Sequence, residues 1–107
     1  MARAYRYDGL LPAVRTDHGW DQPEAEALAP ITAAARERAG PGFDVVVEGN
    51  SSRDPVKASD KVTPYADAGA TWWLEGIWKF LYEPATALDR MRDRLRAGPP
   101  PAPAKAA

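Results

Sequence analysis

Gly69-Ala70-Thr71-Trp72-Trp73-Leu74-Glu75-Gly76 is the stretch that decides the fold class of this chain. A short apolar run of aromatic and β-branched residues, closed on both sides by glycine, predicts a buried strand rather than a helix. Side chains alternate along a strand, so the two adjacent tryptophans point to opposite faces and both faces need cover. That is the requirement of a parallel strand inside an α/β protein. In this register Trp72 and Leu74 share one face, and Thr71, Trp73 and Glu75 share the other, with a carboxylate at the strand's C-terminal end. In α/β folds that end is where sites lie.

Upstream, Phe43-Asp44-Val45-Val46-Val47-Glu48-Gly49 predicts a second strand, because consecutive valines are disfavoured in helices and favoured in buried sheet. Between the two strands, Asn50-Ser51-Ser52-Arg53 forms a polar turn, and Asp54 followed by Pro55 reads as an N-cap with proline at the first helical position. The helix that follows carries Val56, Val62, Tyr65 and Ala66 on its apolar side, with a kink expected near Asp60 from Pro64. Farther upstream, Tyr5 to Pro12 contains a short apolar run closed by Pro12, which predicts a brief strand entering a loop. Ala13 to Gln22 reads as a polar loop, and Asp21-Gln22-Pro23-Glu24 as the start of a helix near Pro23. Pro30 predicts a break, with the main helix running from about Pro30 to Ala39 and ended by Gly40-Pro41-Gly42.

Downstream, Ile77 to Tyr82 is an aromatic-rich connector that suits either a helical turn or a covering loop. A last helix starts at Pro84 with Leu88, Met91 and Leu95 as its apolar stripe and stops at Gly98. Residues 99–107, rich in proline and alanine, predict an extended, mobile tail beyond a domain of residues 1–98. The order strand, helix, strand, helix, strand, helix implies parallel crossovers. Three parallel strands alone leave unpaired edges and one bare face, and the chain opens abruptly before its first strand. It therefore reads as part of something larger.

Composition bounds the function. With 107 residues, 45% hydrophobic and 27% charged, the chain has room for one small globular domain. A formal net charge of −1 gives no pull toward nucleic acid or anionic membrane, and no stretch approaches the roughly 20 apolar residues of a membrane span. The arginines of the last helix alternate with Asp89 and Asp93, as on a solvated, ion-paired face. The chain has no cysteine for disulfide or thiolate chemistry, and its single histidine, His18, supplies no zinc site alone. Asn50-Ser51-Ser52 matches a glycosylation sequon, but no apolar leader accompanies it, and a cytoplasmic location is expected.

Four segments together carry a family likeness: Arg6-Tyr7-Asp8-Gly9-Leu10-Leu11-Pro12; Phe43 to Gly49; Tyr65-Ala66-Asp67-Ala68-Gly69-Ala70-Thr71-Trp72-Trp73-Leu74-Glu75; and Arg94-Leu95-Arg96-Ala97-Gly98-Pro99-Pro100. In this order and spacing they resemble the C-terminal third of the luciferase-like flavin-dependent monooxygenases, from about Ala4 to Pro100. The resemblance implies a TIM-type (β/α)8 barrel of which this chain supplies the last three strands. It also implies oxidoreductase chemistry on reduced flavin mononucleotide (FMN) or a deazaflavin. The first five strands, and the glycine-rich turn that helps hold the cofactor phosphate in that family, have no counterpart here. No catalytic position of the family carries over, and tight cofactor binding by this chain alone is not expected.

Candidate site residues follow from position. Gly49, Asn50 and Ser51 end a strand just before a helix N-terminus, where backbone amides favour an anion such as a cofactor phosphate. The same residues also suit an ordinary β-to-α turn, and Glu48 and Asp54 repel phosphate. Trp73 and Glu75 are expected on the barrel side as a flat wall and a carboxylate of a substrate pocket, with Trp72 packed outward under helices; for the tryptophans, burial of their large area is by itself ample reason for their presence. The partners implied are a complementary barrel fragment or a second copy. A second function class is a non-catalytic assembly or binding module that pairs its open sheet edges with another chain.

Overall fold

The computed structural model describes residues 2–76 and 81–101. It is an α/β fold whose central sheet has the order β1-β4-β5, both pairs parallel, built from β1 (Gly9–Leu10), β4 (Asp44–Gly49) and β5 (Trp72–Glu75). Between β1 and β4 come an antiparallel hairpin, β2 (Val14–Thr16) with β3 (Gly19–Asp21), and helix α1 (Ala25–Ala39). Helix α2 (Pro55–Asp67) connects β4 to β5, and α3 (Pro84–Arg96) follows β5.

The valine-rich strand β4 is the centre of the sheet and alternates strictly between half-buried and buried positions. Its buried face, Val45 and Val47, packs with Phe43 against Leu28 and Ala35 of α1 and Tyr65 of α2 in one cluster, joined by Trp73 of β5. Because Val47 pairs with Trp73 in register, both side chains point to the same side. Both helices therefore cover one face. The other face carries Val46, Glu48, Trp72 and Leu74, and Trp72 and Leu74 are 62% and 50% exposed. This reverses the expected assignment of the two tryptophans: Trp73, not Trp72, lies under the helices.

Polar groups tie the loops at the lower end of the sheet. The Thr71 hydroxyl accepts from the Val45 amide at 2.9 Å and bonds the Asp44 carboxylate. Arg36 donates to the Pro41, Phe43 and Gly69 carbonyls. Gly69 has φ +102°, and a Cβ there would meet the Thr32 side chain at 2.8 Å. Thr32 in turn donates to the Ala68 carbonyl, so the α2–β5 turn is seated directly on α1.

Several local expectations need correction. The brief strand expected within Tyr5 to Pro12 is Gly9–Leu10, paired with β4, and Ala4–Arg6 ahead of it form a 3-10 turn. The polar loop from Ala13 to Gln22 is a hairpin whose turn closes at Gly19, φ +119°. Asp21 ends β3 and accepts from the Gln22 amide instead of capping α1. The helix begins at Ala25 after Glu24, and it runs through Pro30 without ending. Burial of Leu28, Thr32 and Ala35 on both sides of the proline outweighs the one backbone bond Pro30 cannot make.

Helix α2 matches its expected cap: the Asp54 carboxylate accepts from the Val56 and Lys57 amides at 2.9 and 3.2 Å. It too runs through its proline, Pro64, and buries Ala58 in place of Val56. In α3 the apolar stripe faces the body only at Met91, which is half-buried. Ala87 and Arg94 are buried, while Leu88 and Leu95 are 59% and 76% exposed. The connector expectation for Ile77 to Tyr82 lies outside the described residues at 77–80; Leu81 and Tyr82 are exposed. Of the expected tail, Pro99–Pro101 line a groove beside Tyr65, Trp72 and Trp73, and 102–107 lie outside the described residues.

Candidate functional site

The C-terminal ends of β4 and β5 bring three of the candidate residues, Ser51, Trp73 and Glu75, into one hydrogen-bonded group. Trp73 and Glu75 are two apart on the same strand and so share a side, which lets the Trp73 indole N–H donate to Glu75 Oε2 at 2.8 Å. Across from them, the turn after β4 brings in Ser51, whose backbone N–H and hydroxyl donate to Glu75 Oε1 and Oε2, each at 2.7 Å. Arg94 of α3 completes the group: its Nε lies 3.2 Å from Oε1 and its Nη2 3.4 Å from Oε2. The same guanidinium donates to the Ser51 hydroxyl at 2.7 Å and to the Gly98 carbonyl at 2.7 Å.

Glu75 is thus an acceptor filled by donors from three elements. Burial opposes its ionisation, but hydrogen bonds from the Trp73 indole, the Ser51 hydroxyl and amide, and Arg94 together hold the carboxyl below its usual range. The carboxylate is ionised and engaged at neutral pH, which is the state of an electrostatic clamp rather than of a general base poised near neutrality. Ser51 likewise has both donors committed to Glu75.

Gly49 has a packing reason for being glycine. A Cβ at this position would lie 2.5 Å from the Trp73 ring and 2.6 Å from Gln22 Oε1, so the indole closes directly over the backbone. Tyr65 packs against that indole, ring centroids 5.7 Å apart, and its hydroxyl accepts from Gln22 Nε2 at 3.2 Å. Burial first, and then the charges of Glu24 and Asp21, push the Tyr65 phenol above its usual value.

Asn50 is half-buried on the rim of a cleft of about 660 Å³ at the same end of the sheet. Its walls include Leu11, Trp20, Asp21, Glu24, Glu48 and Gly49. Sequence reasoning assigned the hairpin to a plain loop and so missed Trp20, and it read Arg94 as one more solvated arginine. The available signal for Arg94 was its spacing: it lies seven residues after Ala87, on the small-residue side of α3. His18 sits exposed in the hairpin turn, its amide donating to the Thr16 hydroxyl. Among the described residues no group of three or more His, Cys, Asp or Glu side chains is arranged to hold a metal, and no helix is long and apolar enough to cross a membrane.

Comparison with protein families, with curated proteins and with solved structures gives no match.

Proposed function

We propose that this chain supplies three βα units of a luciferase-like flavin-dependent oxidoreductase barrel and is inactive on its own. The observation that carries the reading is the winding. Three parallel strands lie side by side in chain order, both intervening helices cover one face, and the opposite face is left open with Trp72 and Leu74 exposed. Doubly wound sheets reverse their strand order and place helices on both faces, whereas a barrel keeps one direction and turns the bare face inward. In that reading the open face is barrel interior, and the cleft with Gly49 and Asn50 lies at the C-terminal rim where barrel sites are built. FMN or a deazaflavin is the cofactor of the completed assembly, and a cytoplasmic location goes with a chain that has no cysteine.

Titration of the purified chain with FMN and, in parallel, a deazaflavin, followed by flavin fluorescence, tests this. No saturable binding is expected from the chain alone, and binding is expected once a separately expressed piece carrying the first five strands of such a barrel is added. Micromolar binding by the monomer overturns the claim of inactivity. No binding in either arm overturns the barrel reading.

A second reading, a non-catalytic assembly module, is favoured by the apolar side chains that face solvent on two elements, Trp72 and Leu74 on β5 and Leu88 and Leu95 on α3. Light scattering separates the two. A concentration-independent monomer removes the self-association form of the second reading.

A further inference from the structure

We propose that the Pro99–Pro101 segment guards the outer edge of β5, and that this edge pairs with β5 of a second copy of the chain once the guard is removed. β5 is the last strand in the sheet order, and among the described residues β4 is its only strand partner. The register sets Glu75 against Gly49, and the Gly76 amide donates to the Gly49 carbonyl. Leu74 and Gly76 therefore turn their backbone groups toward β4, while Trp73 and Glu75 turn theirs away. Such outward-facing groups are a template for another strand.

A groove of about 290 Å³ runs along this edge. Trp72 and Trp73 point to opposite faces of the sheet yet both line it, which places the groove at the side of the strand and not on either face. Its other walls include Val62 and Tyr65 of α2 and, facing β5, the three prolines. The prolines leave from a fixed point. Gly98 turns the chain at φ +78°, its amide donates to the Leu95 carbonyl at 3.1 Å, and its carbonyl accepts from Arg94 Nη1 at 2.7 Å. Arg94 is itself held by Glu75 at the end of β5. From that end the segment reaches the groove walls at Ala70 to Trp73, so it passes alongside the strand. Consecutive prolines stay extended, at about 3.1 Å per residue, and offer no N–H to a ladder. Beside an open edge they occupy the place of a strand without pairing as one.

The order of residues in β5 suits a second copy. In an antiparallel pair centred on Trp73, that residue exchanges both backbone bonds with its counterpart. Trp72 then faces Leu74 of the second copy and Glu75 faces Thr71, so apolar meets apolar and no like charges are opposed. The inference rests on neither functional reading: flavin binding does not enter it, and a monomeric unaltered chain is the guarded state it expects.

Two truncations test it, one ending after Pro101 and one ending after Gly98, which keeps the Arg94 contact. Sedimentation and amide hydrogen exchange are followed as concentration rises. The chain ending after Pro101 should behave as the unaltered chain does. The chain ending after Gly98 should self-associate at least tenfold more tightly, and its Trp73 amide should gain protection as the dimer forms. Equal association by the two truncations, or a dimer in which the Trp73 amide stays unprotected, would overturn the proposal. Should the shorter chain fail to fold, the full-length variant Pro99→Gly/Pro100→Gly/Pro101→Gly takes its place, with the same expected and overturning results.

Discussion

Replacing Glu75 by Gln tests whether the Ser51–Trp73–Glu75–Arg94 group holds α3 to the sheet. The glutamine keeps one acceptor oxygen and the side-chain volume, but it removes the charge opposite a guanidinium that is only 8% exposed. Breaking a buried ion pair by removing one partner costs about 3–5 kcal/mol. Glu75 is itself 25% exposed, and Arg94 retains the Gly98 carbonyl and the Ser51 hydroxyl, so about 2 kcal/mol is the expected loss. Arg94→Met should cost less, about 1 kcal/mol, because Glu75 keeps its Ser51 and Trp73 donors. The double variant should show a coupling of about 1 kcal/mol. The pH dependence has a fixed sign: a carboxyl lowered in the folded state adds stability that is fully present above its unfolded value, about 4.3, and fades as pH falls through the lower folded value. Urea unfolding at pH 7 and across pH 3 to 6 measures both. A Glu75→Gln midpoint and slope equal to those of the parent at pH 7, or an unchanged acid slope, would refute the clamp.

Gly49→Ala places a methyl group 2.5 Å from the Trp73 ring and should destabilise by about 2 kcal/mol as overpacking, read as a lower thermal midpoint. Asp54→Ala removes the acceptor of the Val56 and Lys57 amides and should cost about 1 kcal/mol in denaturant unfolding. Leu95→Lys on the exposed side of α3 should change folding stability by less than about 0.5 kcal/mol, and any concentration-dependent association seen by light scattering should weaken.

The elements that sequence reveals here are those whose signal is local and strong. The valines at 45–47, the Trp72–Glu75 run and the Asp54-Pro55 cap each name their structure within a few residues. Pro30 misled because a lost backbone bond is a local penalty, whereas the burial of Leu28, Thr32 and Ala35 that keeps α1 intact is decided by distant partners. The hairpin escaped because β2 and β3 pair with each other over only three registers and bury nothing, leaving no alternation of apolar residues to read. At the candidate site, position alone brought Ser51 and Glu75 forward. What position did not carry was their mutual engagement, which depends on Arg94 of α3, nineteen residues beyond Glu75.

The exposed apolar side chains fall into a pattern that the packing itself explains. A parallel sheet connected by one-sided crossovers can satisfy only the face its helices reach, and α1 and α2 reach the face of Val45, Val47 and Trp73. The face of Trp72 and Leu74 is left over by construction, not by poor packing. Helix α3 does not relieve it, because Ala87 and Arg94 are the residues it buries, and the Arg94 contact is an ion pair at the strand ends. Its own stripe of Leu88 and Leu95 then remains outside as a second bare surface. An apolar seam would fix a helix by area, whereas an engaged carboxylate fixes it by charge, so the hold of Glu75 on α3 weakens in acid and with a change at that one residue.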